Sequence, residues 1–137
     1  MYCDTDSIIY KNGEIDIPLG DNLGDWTCEL KGDTISEFLA TAPKCYSYKT
    51  QGGKACTKVK GITLNYENSA LINFESMKHI IDGTTSCITT VNKNKLTIDS
   101  KTSTIVNKYQ AKAFSINFDK RNIIKSEDMI DTFPYGY

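Results

Sequence analysis

Short stretches in which apolar and polar residues alternate recur along the chain, separated by turn-forming residues, and one stretch departs into helical spacing. Met1–Tyr10 has a brief apolar start, then Asp4-Thr5-Asp6-Ser7, then a β-branched and aromatic Ile8-Ile9-Tyr10. That order predicts a β-hairpin with Asp-Thr-Asp at its bend. Asn12-Gly13 is a turn signal, and Glu14-Ile15-Asp16-Ile17 alternates like a short strand before Pro18. Residues 20–27 read as a polar loop with two glycines, anchored by burial of Trp26, the single tryptophan. Ile35–Leu39 reads as a strand. A second hairpin is predicted where Pro43–Lys49 and Lys54–Gly61 flank the turn Gln51-Gly52-Gly53. Period two puts Lys44, Tyr46 and Tyr48 on one face of its first strand, and Lys54, Cys56, Lys58 and Lys60 on one face of its second.

The helical stretch is Asn73–Gly83, with Asn73 as N-cap, Gly83 as stop and an apolar stripe of Phe74, Met77, Ile80 and Ile81. His79, the only histidine, falls off the stripe and reads as a surface residue. Beyond it the pattern is again β-rich: Cys87–Val91, Leu96–Ile98, Thr104–Val106 and Ala113–Phe118, with Asn92-Lys93-Asn94 and Asp99-Ser100-Lys101 as turns. Lys120-Arg121 form a local basic pair. The tail, residues 131–137, is too short and turn-prone to predict an element. The fold class expected is α+β, mostly antiparallel, with one or two short helices.

Length and charge sharpen this picture. At 137 residues the chain is long enough for a core of its own. Its net charge of −1 conceals an asymmetry. Residues 1–43 hold nine acids against Lys11 and Lys31, whereas residues 44–60 hold five lysines and no acid. An acidic block followed by a basic one suits a protein that handles phosphates beside a cation site. The five cysteines lack Cys-x-x-Cys spacing, so a zinc site is disfavoured, and reduced thiols in an intracellular protein are expected. Neither a signal peptide nor a membrane span is legible, so no membrane partner is expected.

The candidate chemistry sits at the first bend. Residues two apart on extended backbone share a face, so Asp4 and Asp6 can converge on one site. Paired carboxylates repel unless a hard cation neutralises them, and Mg²⁺ bound through carboxylates and substrate phosphates is the usual resolution. An EF-hand loop is excluded, because Ile8 stands where the third oxygen ligand is needed and no glycine follows in the required place. A lone Asp-x-Asp is otherwise an ordinary solvated turn. Only three residues precede Asp4, so the strand entering the hairpin is short, as expected of the C-terminal piece of a larger protein.

Tyr2-Cys3-Asp4-Thr5-Asp6-Ser7 resembles the metal-binding palm hairpin of family B DNA polymerases. With Leu23-Gly24-Asp25-Trp26, Pro43–Lys49, Lys58–Gly61, Leu71–Phe74 and Phe133–Tyr137 in order, the chain is similar to the C-terminal part of a protein-primed family B DNA polymerase of the Polinton or Maverick transposon type. The resemblance spans nearly the whole chain, though residues 84–106 contribute little. It implies a palm portion over residues 1–43 and a basic hairpin with thumb over residues 44–137. It implies that Asp6 binds two catalytic Mg²⁺ ions with Asp4 in the same cluster, that Thr5 shapes the bend, and that Tyr2 and Ser7 brace it. Lys44 and Tyr46 match a Lys-x-Tyr motif facing the primer terminus, Lys58 and Lys60 start the thumb, and Gly24 and Trp26 belong to a supporting loop. The implied partners are a DNA primer–template, a dNTP and a terminal protein primer, in the nucleus if the host is eukaryotic. The second palm aspartate, the nucleotide-binding helix and the exonuclease carboxylates have no counterpart in this sequence. The alternative is a non-catalytic DNA-binding remnant of a transposon polymerase.

Overall fold

The computed structural model describes residues 2–13, 16–116, 121–125 and 130–134. The fold is α+β, built from antiparallel strands and two short helices. Strands β1 (Tyr2–Asp4) and β2 (Ser7–Ile9) form the first hairpin, closed by Thr5 and Asp6 with Asp4 opposite Ser7. Thr5 adopts φ 53°. A tight hairpin needs positive φ at its first central residue, and a β-branched side chain there costs about 1–2 kcal/mol relative to glycine. The Thr5 hydroxyl offsets part of that by donating to Asp4 Oδ1 at 3.2 Å.

Strands β3 (Ile35–Ala42), β4 (Cys45–Thr50) and β5 (Ala55–Lys58) make a three-stranded sheet with β4 central. The predicted hairpin of β4 and β5 is present with Tyr46 opposite Lys58 and Tyr48 opposite Cys56. Asp33 ties its turn to the preceding chain by accepting from the Gly52 and Thr34 amides at 3.1 and 2.8 Å. Helix α2 (Phe74–Ile81) carries the expected Asn73 cap in a full capping box with Ser76, and Gly83 follows it at φ 77°. Helix α1 (Tyr66–Leu71) precedes it, capped by Asn65. Of the predicted stripe, Phe74, Met77 and Ile80 are buried, Ile81 is partly so, and His79 is exposed.

The two faces of the sheet do different work. Cys45, Ser47 and Lys49 of β4 face α2, where Met77 and Ile80 join Cys45, Ile72 and Phe114 in the core. Ser47, fully buried, is satisfied by the Cys56 carbonyl and the Thr57 hydroxyl at 2.9 and 2.8 Å. Lys49 extends over the Phe74 ring, 4.3 Å from its centroid, and ends on Glu75. The opposite face carries Tyr46 and Tyr48 and receives the first hairpin.

Four expectations are corrected. Asn92-Lys93-Asn94 is no turn: strand β6 (Ile88–Asp99) runs through it and pairs with β7 (Thr104–Phe114) as one long hairpin. The polar triplet is absorbed as a β-bulge, since the ladder with β7 supplies the hydrogen bonds that local propensity does not. The predicted strands Cys87–Val91 and Leu96–Ile98 therefore merge in β6, and β7 likewise joins Thr104–Val106 to the start of Ala113–Phe118, ending at Phe114, with residues 117 and 118 outside the described part. In the tail, β9 (Ile130–Pro134) pairs with β8 (Arg121–Lys125), so a partner strand rescues a segment too weak to be an element alone. Trp26 is exposed, not a buried anchor. Its loop is held instead by backbone bonds, Trp26 N–H to Pro18 O at 2.9 Å and Gly20 N–H to Trp26 O at 3.1 Å. Asp16 and Ile17 form no strand, and Glu14 and Ile15 lie outside the described residues.

A candidate nucleic-acid interface

The site begins with Tyr2. Its ring sits 4.8 Å from Tyr46 and 5.7 Å from Phe38, centroid to centroid, and seals the first hairpin onto the sheet. Phe38 and Tyr46 are themselves 5.9 Å apart, and Tyr46 stacks on Tyr48 at 6.5 Å. Such tilted and offset pairs add about 0.5–1.5 kcal/mol each beyond the area they bury. The Tyr2 hydroxyl then accepts the Lys44 backbone N–H at 3.1 Å.

Lys44 lies in the two-residue turn Pro43-Lys44 between β3 and β4, with φ 62°. Glycine or asparagine is favoured at such a position behind proline. From this turn the Lys44 ammonium reaches Asp4 Oδ1 at 3.2 Å. Asp4 is thus held by Lys44 and by Thr5, while the Ser7 hydroxyl donates to the Asp4 carbonyl at 3.1 Å. Across β4, Tyr46 pairs with Lys58. Asp4, Lys44, Tyr46, Lys58, Val59 and Lys60 line one open cleft of about 270 Å³. Residues separated by up to 56 positions therefore meet at one concave surface with three ammonium groups and one carboxylate.

Asp6 stands exposed at the bend, next to this cleft in sequence but not among its walls. Gly24, at φ 97°, and Trp26 lie in the loop of residues 18–26 and do not line this cleft. Phe38 and Val59 are contributors that sequence reading missed. Phe38 shows only as one apolar position of β3, and no local signal ties it to a ring 36 residues away.

Burial pushes the Tyr46 hydroxyl above the ordinary phenol range, and burial together with the Cys56 thiol pushes Tyr48 up to about 12. The neutral tyrosine is thus favoured by folding. Stability is fully present below the phenol's unfolded value near 10 and is lost as pH rises through the folded one. The urea midpoint is expected to fall between about pH 10 and pH 12, and Tyr48→Phe is expected to flatten that fall. An unaltered profile in the variant would place the titrating group elsewhere.

Lys44→Gly weighs the left-handed backbone against the ion pair at this turn. Glycine relieves the left-handed backbone by about 1–2 kcal/mol, and the half-exposed ion pair it removes is worth about 0–1 kcal/mol. The Lys44 amide bond to Tyr2 survives the change. Equal or greater thermal stability is expected, measured by thermal unfolding. A clear loss of stability would make the pair with Asp4 the dominant contribution.

Among the described residues, no three His, Cys, Asp or Glu side chains stand close enough together to hold a metal ion. Asp4 and Asp6 alone do not complete a two-Mg²⁺ site, which needs bridging carboxylates from a second strand. The five cysteines are all free. No helix of the described residues is long and apolar enough to cross a membrane. Comparison of the chain with protein-family models, curated proteins and solved structures gives no match.

Proposed function

We propose that the chain contributes the palm-tip hairpin and the start of the thumb to a DNA-directed DNA polymerase of the protein-primed family B type. Its reaction is template-directed nucleotidyl transfer from a dNTP to a primer hydroxyl. One observation carries the reading: Asp4, Lys44, Tyr46, Lys58 and Lys60, picked out by the resemblance, line a single cleft although they come from three separate segments.

In this reading the lysines hold primer–template phosphates, and the Tyr46 ring and hydroxyl meet a sugar or base edge. Asp4 fixes the direction of the Lys44 ammonium, so that a flexible side chain is ordered before the duplex arrives. The magnesium ions that activate hydroxyl and leaving group in such reactions need ligands beyond Asp4 and Asp6, and among the described residues no third carboxylate joins them. Accordingly, these 137 residues by themselves are expected to incorporate no nucleotide.

The test is titration of a labelled primer–template duplex, read by anisotropy at several salt concentrations. Micromolar binding that weakens steeply with salt is expected. No binding at 50 mM salt would overturn the proposal. The Asp4–Lys44 ion pair, together with the incomplete ligand set, favours a second reading, a DNA-binding remnant without chemistry. Paramagnetic broadening by Mn²⁺ confined to the amides of Thr5, Asp6 and Ser7 would favour the polymerase hairpin over the remnant.

A further inference from the structure

A larger cleft lies elsewhere, between α1, the segment after β5 and the base of the β6–β7 hairpin. It encloses about 450 Å³, within the range of small-molecule sites. Its walls include Lys95, Lys112, Gln110, Asn68, Thr90 and Thr63, and no carboxylate. We propose that this cleft binds a small phosphate-bearing anion of about mononucleotide size. The proposal does not depend on the polymerase reading.

The bulge is the first argument. Asn92 pairs with Gln110 and Lys95 with Lys108, so three steps on β6 match two on β7. Strict alternation from Thr90 and Asn92 would turn Lys95 to the opposite face. The bulge brings it back, and its ammonium meets Gln110 Oε1 at 3.0 Å. Bulges beside sites re-aim side chains in this way. Lys112, opposite Thr90, reaches the same cleft and donates to the Gly61 carbonyl.

The second argument is charge. Both ammonium groups rest on neutral acceptors, a side-chain amide and a backbone carbonyl, and neither forms an ion pair among the described residues. Lys93, two residues away, is instead matched by Glu67 at 3.2 Å. Two uncompensated cations in a concave polar cleft attract a compact dianion, for which lysine is a common partner. The floor is prepared as well: Asn68 and Thr90 are each 2% exposed. Asn68 is fixed by bonds to the Thr63 and Val91 carbonyls at 2.9 and 3.4 Å, and Thr90 by a bond to the Lys112 carbonyl at 3.2 Å. Gly61 supplies a wall without a side chain, and a Cβ there would sit 3.4 Å from the Lys112 ammonium.

The experiment titrates the isotope-labelled chain with pyrophosphate, with dAMP and with an eight-residue oligothymidylate, in metal-free buffer, and follows the amide signals. Pyrophosphate and dAMP are expected to shift Thr63, Asn68, Thr90 and Gln110. The double variant Lys95→Gln, Lys112→Gln is expected to bind at least tenfold more weakly, and Lys93→Gln within twofold of the native chain. Three results would each overturn the proposal. These are shifts confined to Lys44, Tyr46 and Lys58, equal weakening by Lys93→Gln, or a response to the oligonucleotide without one to pyrophosphate or dAMP, which would make the ligand a nucleic-acid backbone. If the double variant fails to fold, the native-chain shift map decides alone.

Discussion

Replacing Lys44, Lys58 and Lys60 together by alanine is expected to weaken primer–template binding by about 10²–10³-fold at 0.1 M salt. Each phosphate contact contributes about 0.9 to the slope of log affinity against log salt, so three contacts flatten it by about 2–3. The lower end allows for Lys44, whose ammonium is shared with Asp4 at 3.2 Å. Pairing of Tyr46 with Lys58 keeps the β4–β5 ladder intact, because strand hydrogen bonds are main-chain bonds unaffected by the truncations. Fluorescence anisotropy from 50 to 300 mM salt reads both quantities. A slope equal to the native one would move the duplex off this ribbon, whatever the loss of affinity.

The second large effect concerns folding. Met77 is fully buried between α2 and the sheet, in a core whose other buried apolar residues are Cys45, Ile72, Phe74, Ile80 and Phe114 among the described residues. Met77→Ala is expected to cost about 2–5 kcal/mol, from lost burial and from the cavity left behind. Domains of this size hold about 5–15 kcal/mol in total, so the variant stands near the edge of cooperative folding. Among the described residues no second cluster of buried apolar side chains is present to compensate. Met77→Leu, nearly volume-conserving, is expected to cost less than about 1.5 kcal/mol. Urea unfolding measures both, and a loss below about 1 kcal/mol for the alanine variant would mean the stabilising core lies elsewhere.

Local rules read some of this molecule well. The hairpins at Tyr2–Ile9 and Cys45–Lys58 follow from alternation interrupted by turn residues, and helix α2 from its cap, its stripe and its terminal glycine. Local rules failed where a partner decides. Asn92-Lys93-Asn94 has turn chemistry, yet β7 holds it in a strand. Helix α1 escaped notice because Tyr66 and Leu71 are exposed and Asn68 is its sole buried residue, leaving no apolar stripe to read. Trp26 shows the converse, a residue type usually buried that this loop leaves in water. The lysines and tyrosines of the candidate interface were legible one strand at a time. Their meeting with Asp4 was not, because it depends on the Tyr2 ring docking on Phe38 and on a left-handed Lys44, neither of which has a periodic signature.

The bulge between Asn92 and Lys95 also governs where the outer half of the long hairpin points. An extra residue on one strand increases local twist and bends the ribbon. Deleting Asn94 would restore one-for-one pairing, leave Lys95 opposite Lys108, and keep Leu96 and Ile98 facing outward as now. Apart from the bond that Asn94 Oδ1 accepts from Asn107 Nδ2 at 3.0 Å, the change would fall on the course of the ribbon. The molecule therefore has a joint at which its projecting tip can be re-aimed by a single codon, without exchanging inside for outside.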